Sequence, residues 1–297
     1  MSRQRFSLSY KAQKAVLIAA FLILPIVLLA TLSLYPALKL IFYSFTSWNG
    51  LSPRYPWVGL ANYKAIFSNP LLFSSFGHNF AYLVGGLIQN VVALYFALIL
   101  NSKIRGRNLF RAVLFMPFVM NAVAVVFIFR FLYGYQGALD ALLQGLGLKA
   151  LEHDWLGNLS LVNWSLAFVS LWEYFGFNMV IYLAALQSVP HELFEAAELD
   201  GAGRLQTLWH ITLPNIRSIV QINLLLTISG AIEAFNIPFI MTNGSPPTAT
   251  FLTNTVNVAF VFNNFGLASA MAIVLLIIVF VVLLLQRWLV GIGRDAV

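Results

Sequence analysis

The sequence predicts an all-α integral membrane protein with six transmembrane helices and one helix–turn–helix loop between the fourth and the fifth. Three observations point there. The 297 residues are 60% hydrophobic and only 9% charged, with a mean hydropathy of +0.85, whereas a soluble domain carries roughly 25% charged residues. Several stretches reach the roughly 20 apolar residues that an α-helix needs to cross a bilayer. The Lys and Arg residues cluster beside those stretches instead of spreading over a surface. The net charge of +7 and the pI near 9.7 therefore read as membrane topology, in which basic residues mark the cytoplasmic side, and not as a nucleic-acid surface. Cysteine is absent, which rules out disulfides, thiolate metal sites and a Cys nucleophile.

The N-terminus carries Arg3, Arg5, Lys11 and Lys14 before an apolar run, as a signal peptide does. The run exceeds a signal peptide's core of about 7–15 residues and no small-residue cleavage site follows it, so it reads as a retained first helix after a cytoplasmic segment, 1–14. Span one covers 15–34, interrupted at Pro25. Pro36 and the amphipathic ALKLIFYSF carry the helix on to an interface, where Lys39 snorkels and Phe42, Tyr43 and Trp48 sit among headgroups. Residues 49–78 form a turn-rich external loop with short amphipathic pieces such as ANYKAIF. Span two covers 79–100. The loop NSKIRGRNLFR follows, with Lys103, Arg105, Arg107 and Arg111 and no acid, the strongest cytoplasmic marker in the chain. Span three covers 112–133, with Pro117 near its start. Residues 134–163 are external, with Asp140, Glu152 and Asp154 against Lys149.

Span four covers 164–186 and span five 216–241. Residues 242–264 hold no charge and read as a loop rich in Pro and small hydroxyls. Span six covers 265–286; Arg287 and Arg294 follow, the latter in a cytoplasmic tail, 291–297. Six spans place both termini inside and make one membrane domain, 15–290. Its external loops hold only Arg54, Lys64 and Lys149, with Lys39 and Arg130 near that interface.

The loop 188–215 interrupts this pattern with Glu192, Glu195, Glu198 and Asp200, four of the chain's ten acidic residues. Pro190 suits the first turn of a helix and Ser188 its cap. At about 100° per residue, Glu192, Glu195 and Glu198 share one face, with Leu193, Phe194, Ala196 and Ala197 roughly opposite. Asp200-Gly201 ends this helix, because Gly takes the left-handed cap. Residues 205–210 support a second short helix, and Ile211, Leu213 and Pro214 lead into span five. His191 and His210 flank the elbow as surface packing residues. On residues alone, a solvated amphipathic linker and a docking surface both stay open.

The order Glu195-Ala196-Ala197, three residues, Gly201, nine residues, Ile211, one residue, Leu213-Pro214 resembles the EAA loop of binding-protein-dependent ABC transporter permeases. Every fixed position of EAA-x3-G-x9-I-x-LP is filled, and the loop lies between the antepenultimate and penultimate spans, as in that family. WVGLANYKAIF resembles the external motif after span one in sugar permeases of the maltose and glycerol-3-phosphate type. YLAALQSVPHELFEAAELDGAG is similar to the same group. MTNGSPPTATFLTNTVNVAF, followed by FGLASAMAIVL, resembles its segment from span five to span six. There the group has Gly-Gly-Pro where this chain has Gly244-Ser245-Pro246. The chain is similar to the shorter members, without the extra N-terminal spans and large external domain of the maltose-type first permease.

The resemblance implies the permease subunit of an ATP-driven importer in the bacterial inner membrane, translocating a sugar or oligosaccharide delivered by an external solute-binding protein. The implied partners are a second homologous permease, two cytoplasmic ATPases that bind ATP and Mg, membrane lipid and the carbohydrate, with no cofactor in this chain and no nucleic acid. Glu195, Ala196, Ala197, Asp200, Gly201, Ile211, Leu213 and Pro214 would seat the elbow, as a coupling helix, in an ATPase cleft. The same architecture importing glycerol-3-phosphate or a polyol stays open. No GxxxxGK[ST] phosphate loop is present, so the energy comes from elsewhere. His78, His153, His191 and His210 are scattered without metal-site spacing. A membrane-embedded enzyme needs Asp, His or Ser clustered at one depth, and the isolated carboxylates argue against it. A stand-alone channel or secondary carrier leaves the acidic elbow without a use.

Polar groups within the spans are the candidates for a substrate path, because ionisable side chains in lipid face a partner or a wet cavity. Glu173 lies near the middle of span four, too deep to snorkel. Tyr174 and Asn178 follow it, Asn178 about 140° round the helix from Glu173. Glu233 and Asn236 share a face late in span five, and Asn121 lies within span three. Such groups suit a hydroxyl-rich solute, which needs hydrogen-bond partners and aromatic faces; polar glue between helices is the alternative. Arg130, late in span three, snorkels to the external interface on its simplest reading.

Overall fold

The computed structural model describes residues 9–102 and 104–291. Arg3, Arg5, Lys103 and Arg294, with most of the segments 1–14 and 291–297, lie outside the described residues. The described residues are helical, with one isolated antiparallel bridge, Thr46 to Trp57. Five helical stretches are long and apolar enough to cross a membrane, and a sixth crossing is counted if one sharply bent helix pair is a single span. The chain divides into two compact units, Met1–Ala65 with Val258–Ile273 and Ile66–Asn257 with Val274–Val297.

In the first unit, α1 (Tyr10–Leu29) runs through a π turn (Ala30–Leu34) into α2 (Tyr35–Ser44). The expected interruption at Pro25 does not occur: Pro25 sits inside α1. The irregularity comes later, in the turn before Pro36. Proline lacks an N–H and its ring crowds the carbonyl four residues back, so the preceding turn widens. The side chains from Gln13 to Leu38 are exposed.

Beyond α2, Phe45 stacks on Trp57 at 5.3 Å, and Tyr43 lies 4.3 Å from Trp48. The Asn62 amide, in α3 (Ala61–Ser68), donates 2.8 Å hydrogen bonds to the carbonyls of Ser44 and Thr46, and the Tyr63 hydroxyl donates to Ser44 Oγ at 2.8 Å. The Asn-Tyr pair of the WVGLANYKAIF stretch thus ties α3 to the end of α2. Gly266 approaches so closely that a Cβ there would lie 1.9 Å from the Thr46 carbonyl oxygen.

The second unit holds the remaining helices, apart from the end of α14 and the start of α15, which fall in the first. Asn69 caps α4 (Pro70–Ser74) by accepting from the Leu71 N–H at 3.0 Å, and α5 (Phe76–Asn101) follows at once. Span three is not the straight helix that its apolar run predicts. It is α6 (Arg107–Val119) and α7 (Ala122–Leu132), bent by 97°. Asn121 occupies the corner in extended conformation and accepts from the Val123 N–H at 2.9 Å, which makes it the N-cap of α7. Then come α8 (Ala138–Gly145), a short 3-10 turn (Lys149–Leu151) and α9 (Val162–Gln187).

After α9 come α10 (His191–Leu199), α11 (Arg204–Thr207), a π turn (Leu208–Thr212), α12 (Leu213–Ile232), α13 (Asn236–Thr242), α14 (Phe251–Phe260) and α15 (Phe265–Gly291). Span five, expected to be continuous, breaks between α12 and α13. The freed carbonyls at the break are satisfied from other elements. Asn79 Nδ2 donates to the Ala231 and Ile232 carbonyls at 2.7 and 2.9 Å, and Thr250 Oγ1 donates to Ala234 O at 2.6 Å. The stretch 242–264, expected to be a loop, contains α14. Its threonines turn their hydroxyls onto their own backbone, Thr253 to Thr250 O and Thr255 to Phe251 O, and so are buried at little cost.

α9 is the central helix of this unit, packed against α5, α6 and α12. Two apolar clusters lie at different heights along the shared helices. One contains Tyr82, Val125, Phe129, Leu166, Val169 and Ala231; the other contains Ala93, Ala97, Met179, Tyr182, Leu183 and Ile216. Between them in sequence, on α5, α9 and α12, fall Gln89, Asn90, Glu173, Asn178, Asn223 and Thr227. A polar layer thus crosses the three helices between two greasy ones.

Candidate functional site

Two places bring together the polar residues that the sequence singles out. The first is the elbow. Ser188 ends α9, its hydroxyl donating to Ala185 O at 2.7 Å, and so does not cap α10 as expected. Pro190 takes the N-cap position instead, with φ −56° and ψ 134°. Its ring is suited to a site where no N–H is needed. The C-terminus of α10 closes as a Schellman motif: the Gly201 N–H donates to Glu198 O at 3.1 Å and the Ala202 N–H to Ala197 O at 2.9 Å. Gly201 stands at φ +73°, a left-handed conformation that Gly adopts at no steric cost.

The expected second short helix does not stand alone. α11 starts at Arg204, with Gln206 Oε1 accepting from the Gly203 N–H at 2.8 Å, and continues through the π turn into α12. Pro214 sits in the first turn of α12 behind that widened turn, as Pro36 does in α2.

Glu192, Glu195, Glu198 and Asp200 are all exposed. Of the four residues expected opposite the acids, Ala197 is buried and Phe194 half-buried, while Leu193 and Ala196 are exposed. Leu213, half-buried, packs on the apolar cluster around Met179 and Ile216. Asp200, Gly201 and Ile211 line a concavity of about 290 Å³ together with Ala202, Gln206, Thr207 and His210. Leu199, Leu205 and Trp209 are exposed beside it. The sequence reading missed these three; their signal is large apolar side chains within an otherwise polar loop.

The second place is a cavity of about 580 Å³ in the polar layer. Five of the six path candidates line it: Glu173, Tyr174 and Asn178 from α9, Glu233 at the break after α12 and Asn236 at the start of α13. Asn121 is not among its lining residues and serves as the cap of α7. Glu173 is buried, whereas Glu233 and Asn236 are exposed. Aromatic faces complete the wall. Phe118 stacks on Phe177 at 4.5 Å and meets Tyr174 edge-on at 5.8 Å.

Sequence reasoning missed three polar lining residues from α5 and α12: Tyr82, Gln89 and Thr227. Gln89-Asn90, two adjacent amides inside an apolar span, was the available signal. Asn90 itself is structural. Its Nδ2 donates to Gly86 O at 2.9 Å and Thr227 Oγ1 at 2.7 Å, and its Oδ1 accepts from the Tyr182 hydroxyl at 2.7 Å. Gln89 Nε2 and the Tyr82 hydroxyl are buried with no hydrogen-bond partner among the described residues. Each such orphan costs on the order of 1–3 kcal/mol, so both are unspent donors of residues that line the cavity.

A polar, aromatic-walled cavity between membrane-length helices, with an acidic elbow joining two of them, suits a membrane component that passes a solute. Comparison agrees. The profile of the family "Binding-protein-dependent transport system inner membrane component" matches residues 89–291, and the chain belongs to that family. It is a multi-pass membrane component of such a transport system. Among its relatives is the "Probable ABC transporter permease protein YurN" of Bacillus subtilis (strain 168), 34% identical over 266 residues, covering 88% of this chain and 91% of the relative. Another is the "Multiple sugar-binding transport system permease protein MsmF" of Streptococcus mutans, 33% identical over 269 residues, with 90% and 92% covered. Among solved structures, a bacterial alginate ABC transporter in complex with an alginate pentasaccharide-bound periplasmic protein contains a chain of the same fold. Its TM-score is 0.82 at 18% identity, covering 96% of each chain.

Proposed function

We propose that this chain carries a sugar or oligosaccharide across the bacterial inner membrane as one of two homologous permeases of an ATP-driven importer. The elbow at 188–215 is its contact with a cytoplasmic ATPase, and both termini lie on that side. The observation that carries this reading is the elbow: a Schellman-closed helix end at Gly201, with Glu192, Glu195 and Glu198 exposed, filling every position of the EAA pattern. Acids on the basic side of a membrane protein suit a protein partner better than anionic lipid headgroups. ATP and Mg belong to the ATPase subunits. Two ATPases, one for each permease elbow, complete the motor.

The elbow connects α9 directly to α12, and both helices line the cavity. A push on the elbow therefore reaches both walls at once, a rigid-body route to alternating access. Five aromatic residues, with the amides and hydroxyls of the polar layer, suit a hydroxyl-rich solute. Glu173, Tyr174, Asn178, Glu233 and Asn236 are the proposed path residues in this chain. A multiple-sugar permease among the relatives, and an alginate transporter with its loaded periplasmic protein among the fold neighbours, support a carbohydrate cargo handed over by an external binding protein.

The test is reconstitution with the partner permease, the ATPases and the binding protein in proteoliposomes. Glu195→Lys and Gly201→Asp are expected to separate ATP hydrolysis from uptake or to prevent assembly. Uptake at the full rate with either substitution, or without any ATPase, sinks the reading.

A further inference from the structure

The cavity's lining carries information about the charge of its cargo. It contains two carboxylates, Glu173 on α9 and Glu233 at the break after α12, and no Lys, Arg or His. Its other titratable lining residues are Tyr82 and Tyr174. Glu173 is itself buried, 7% exposed, and no basic side chain of the lining stands against it. A carboxylate facing a cavity without a compensating cation repels an anion that enters and attracts a cation.

A second observation, independent of the acids, points to a ligand. Tyr82 and Gln89 line the same cavity and are only 5% and 4% exposed, and the buried Tyr82 hydroxyl and Gln89 Nε2 have no hydrogen-bond partner among the described residues. Both are donors left unused beside a space that an oxygen-rich guest can enter. The wall therefore offers neutral donors to hydroxyls and an acid to an ammonium group, but no cation to a carboxylate or phosphate.

We infer that this permease discriminates its cargo by charge, admitting neutral and amino-bearing glycans and rejecting uronate-bearing or phosphorylated ones, with Glu173 as the principal discriminating residue. The inference rests on the proposal that the cavity is the carbohydrate path. It removes glycerol-3-phosphate from the cargo range and retains neutral polyols.

The external binding protein imposes its own selectivity, so the measurement leaves it out. The complete permease–ATPase complex, in nanodiscs, is titrated with three disaccharides of equal length and followed by ligand-observed NMR. These are N-acetylglucosamine disaccharide (neutral), glucosamine disaccharide (cationic) and a saturated uronate disaccharide (anionic). The expected result is that the uronate binds about tenfold or more weakly than the neutral sugar, while the amino sugar binds at least as tightly as the neutral one. Glu173→Gln is expected to raise the anionic-to-neutral affinity ratio by about tenfold. Glu233→Gln, at an exposed position, is expected to raise it less, and provides a second variant should Glu173→Gln fail to assemble.

Uronate binding within about threefold of the neutral sugar on the unsubstituted complex overturns the inference. So does a ratio unmoved by the assembled variants. Absence of binding by all three sugars overturns it as well, yet leaves the importer reading standing if the same complex couples ATP hydrolysis to its binding protein. Loss of that coupling is the separate failure, of the importer reading itself.

Discussion

Gly176 is the point at which α9 crosses α6, and replacing it with alanine tests the packing that holds the cavity in place. A Cβ at Gly176 would lie 2.0 Å from the Leu114 carbonyl oxygen and 2.6 Å from Leu114 C and Phe115 Cα. All three are backbone atoms and cannot rotate away. Restoring an ordinary contact of 3.4 Å to the nearest one moves the two helices apart by about 1.4 Å. Overpacking of this kind costs on the order of 1–3 kcal/mol. The displaced stretch also carries Glu173, Tyr174, Phe177 and Asn178, all on the cavity wall. Gly176→Ala is therefore expected to lower the thermal unfolding midpoint of the purified complex and to reduce transport in the protein that remains folded. Gly77→Ala is the control. Gly77 lies in α5 with nothing within 4 Å of its would-be Cβ, so alanine there is neutral or stabilising by up to about 1 kcal/mol. If Gly176→Ala unfolds at the same temperature as the parent, the close crossing of α6 and α9 is wrong.

Other substitutions probe the polar contacts. Asn90→Leu strands the Tyr182 hydroxyl and Thr227 and should cost on the order of 1–3 kcal/mol. Adding Tyr182→Phe should recover part of that loss, a coupling read from a double-mutant cycle of thermal midpoints. Asn62→Ala removes both 2.8 Å bonds to the Ser44 and Thr46 carbonyls; limited proteolysis between α2 and α3 should become faster, with cleavage inside 45–60. Gly201→Ala meets no atom within 4 Å but keeps φ +73°, so its cost is the left-handed backbone, about 1–2 kcal/mol. Gly201→Asn should restore coupled ATP hydrolysis better than Gly201→Ala, because Asn tolerates that conformation.

The spans themselves were legible because lipid demands long apolar helices, and the elbow because its turn needs a residue at positive φ, which Gly201 provides. The places where reading failed share a cause: a local break in the helix supported by residues distant in sequence. The 97° bend before Asn121 lies in an apolar run whose hydropathy carries no direction. The break at 233–235 depends on Asn79 and Thr250, which donate to carbonyls that no local signal marks as free. α14 was hidden because Thr-rich composition reads as loop until its hydroxyls are seen bonded back to the helix. The π turns before Pro36 and Pro214 let helices pass prolines that look like stops. At the cavity, Glu173 was legible as a lone carboxylate deep in a span. Tyr82 and Thr227 were not, since a Tyr or Thr in a span is ordinary until three helices bring it to one wall.

If the elbow is the surface the motor grips, a thiol placed on it should cross-link to the ATPase. Because the chain contains no cysteine, Ala196→Cys places a single thiol on the exposed face of α10, with little change in size. Ser102→Cys, exposed after α5, gives the comparison. In the assembled importer, with thiols scanned across the ATPase surface, oxidation should join residue 196 to one ATPase region in high yield, and nucleotide should change that yield. Residue 102 should show no such nucleotide dependence. An ATPase that never cross-links to 196 in a complex active in uptake, or that prefers 102, contradicts the claim.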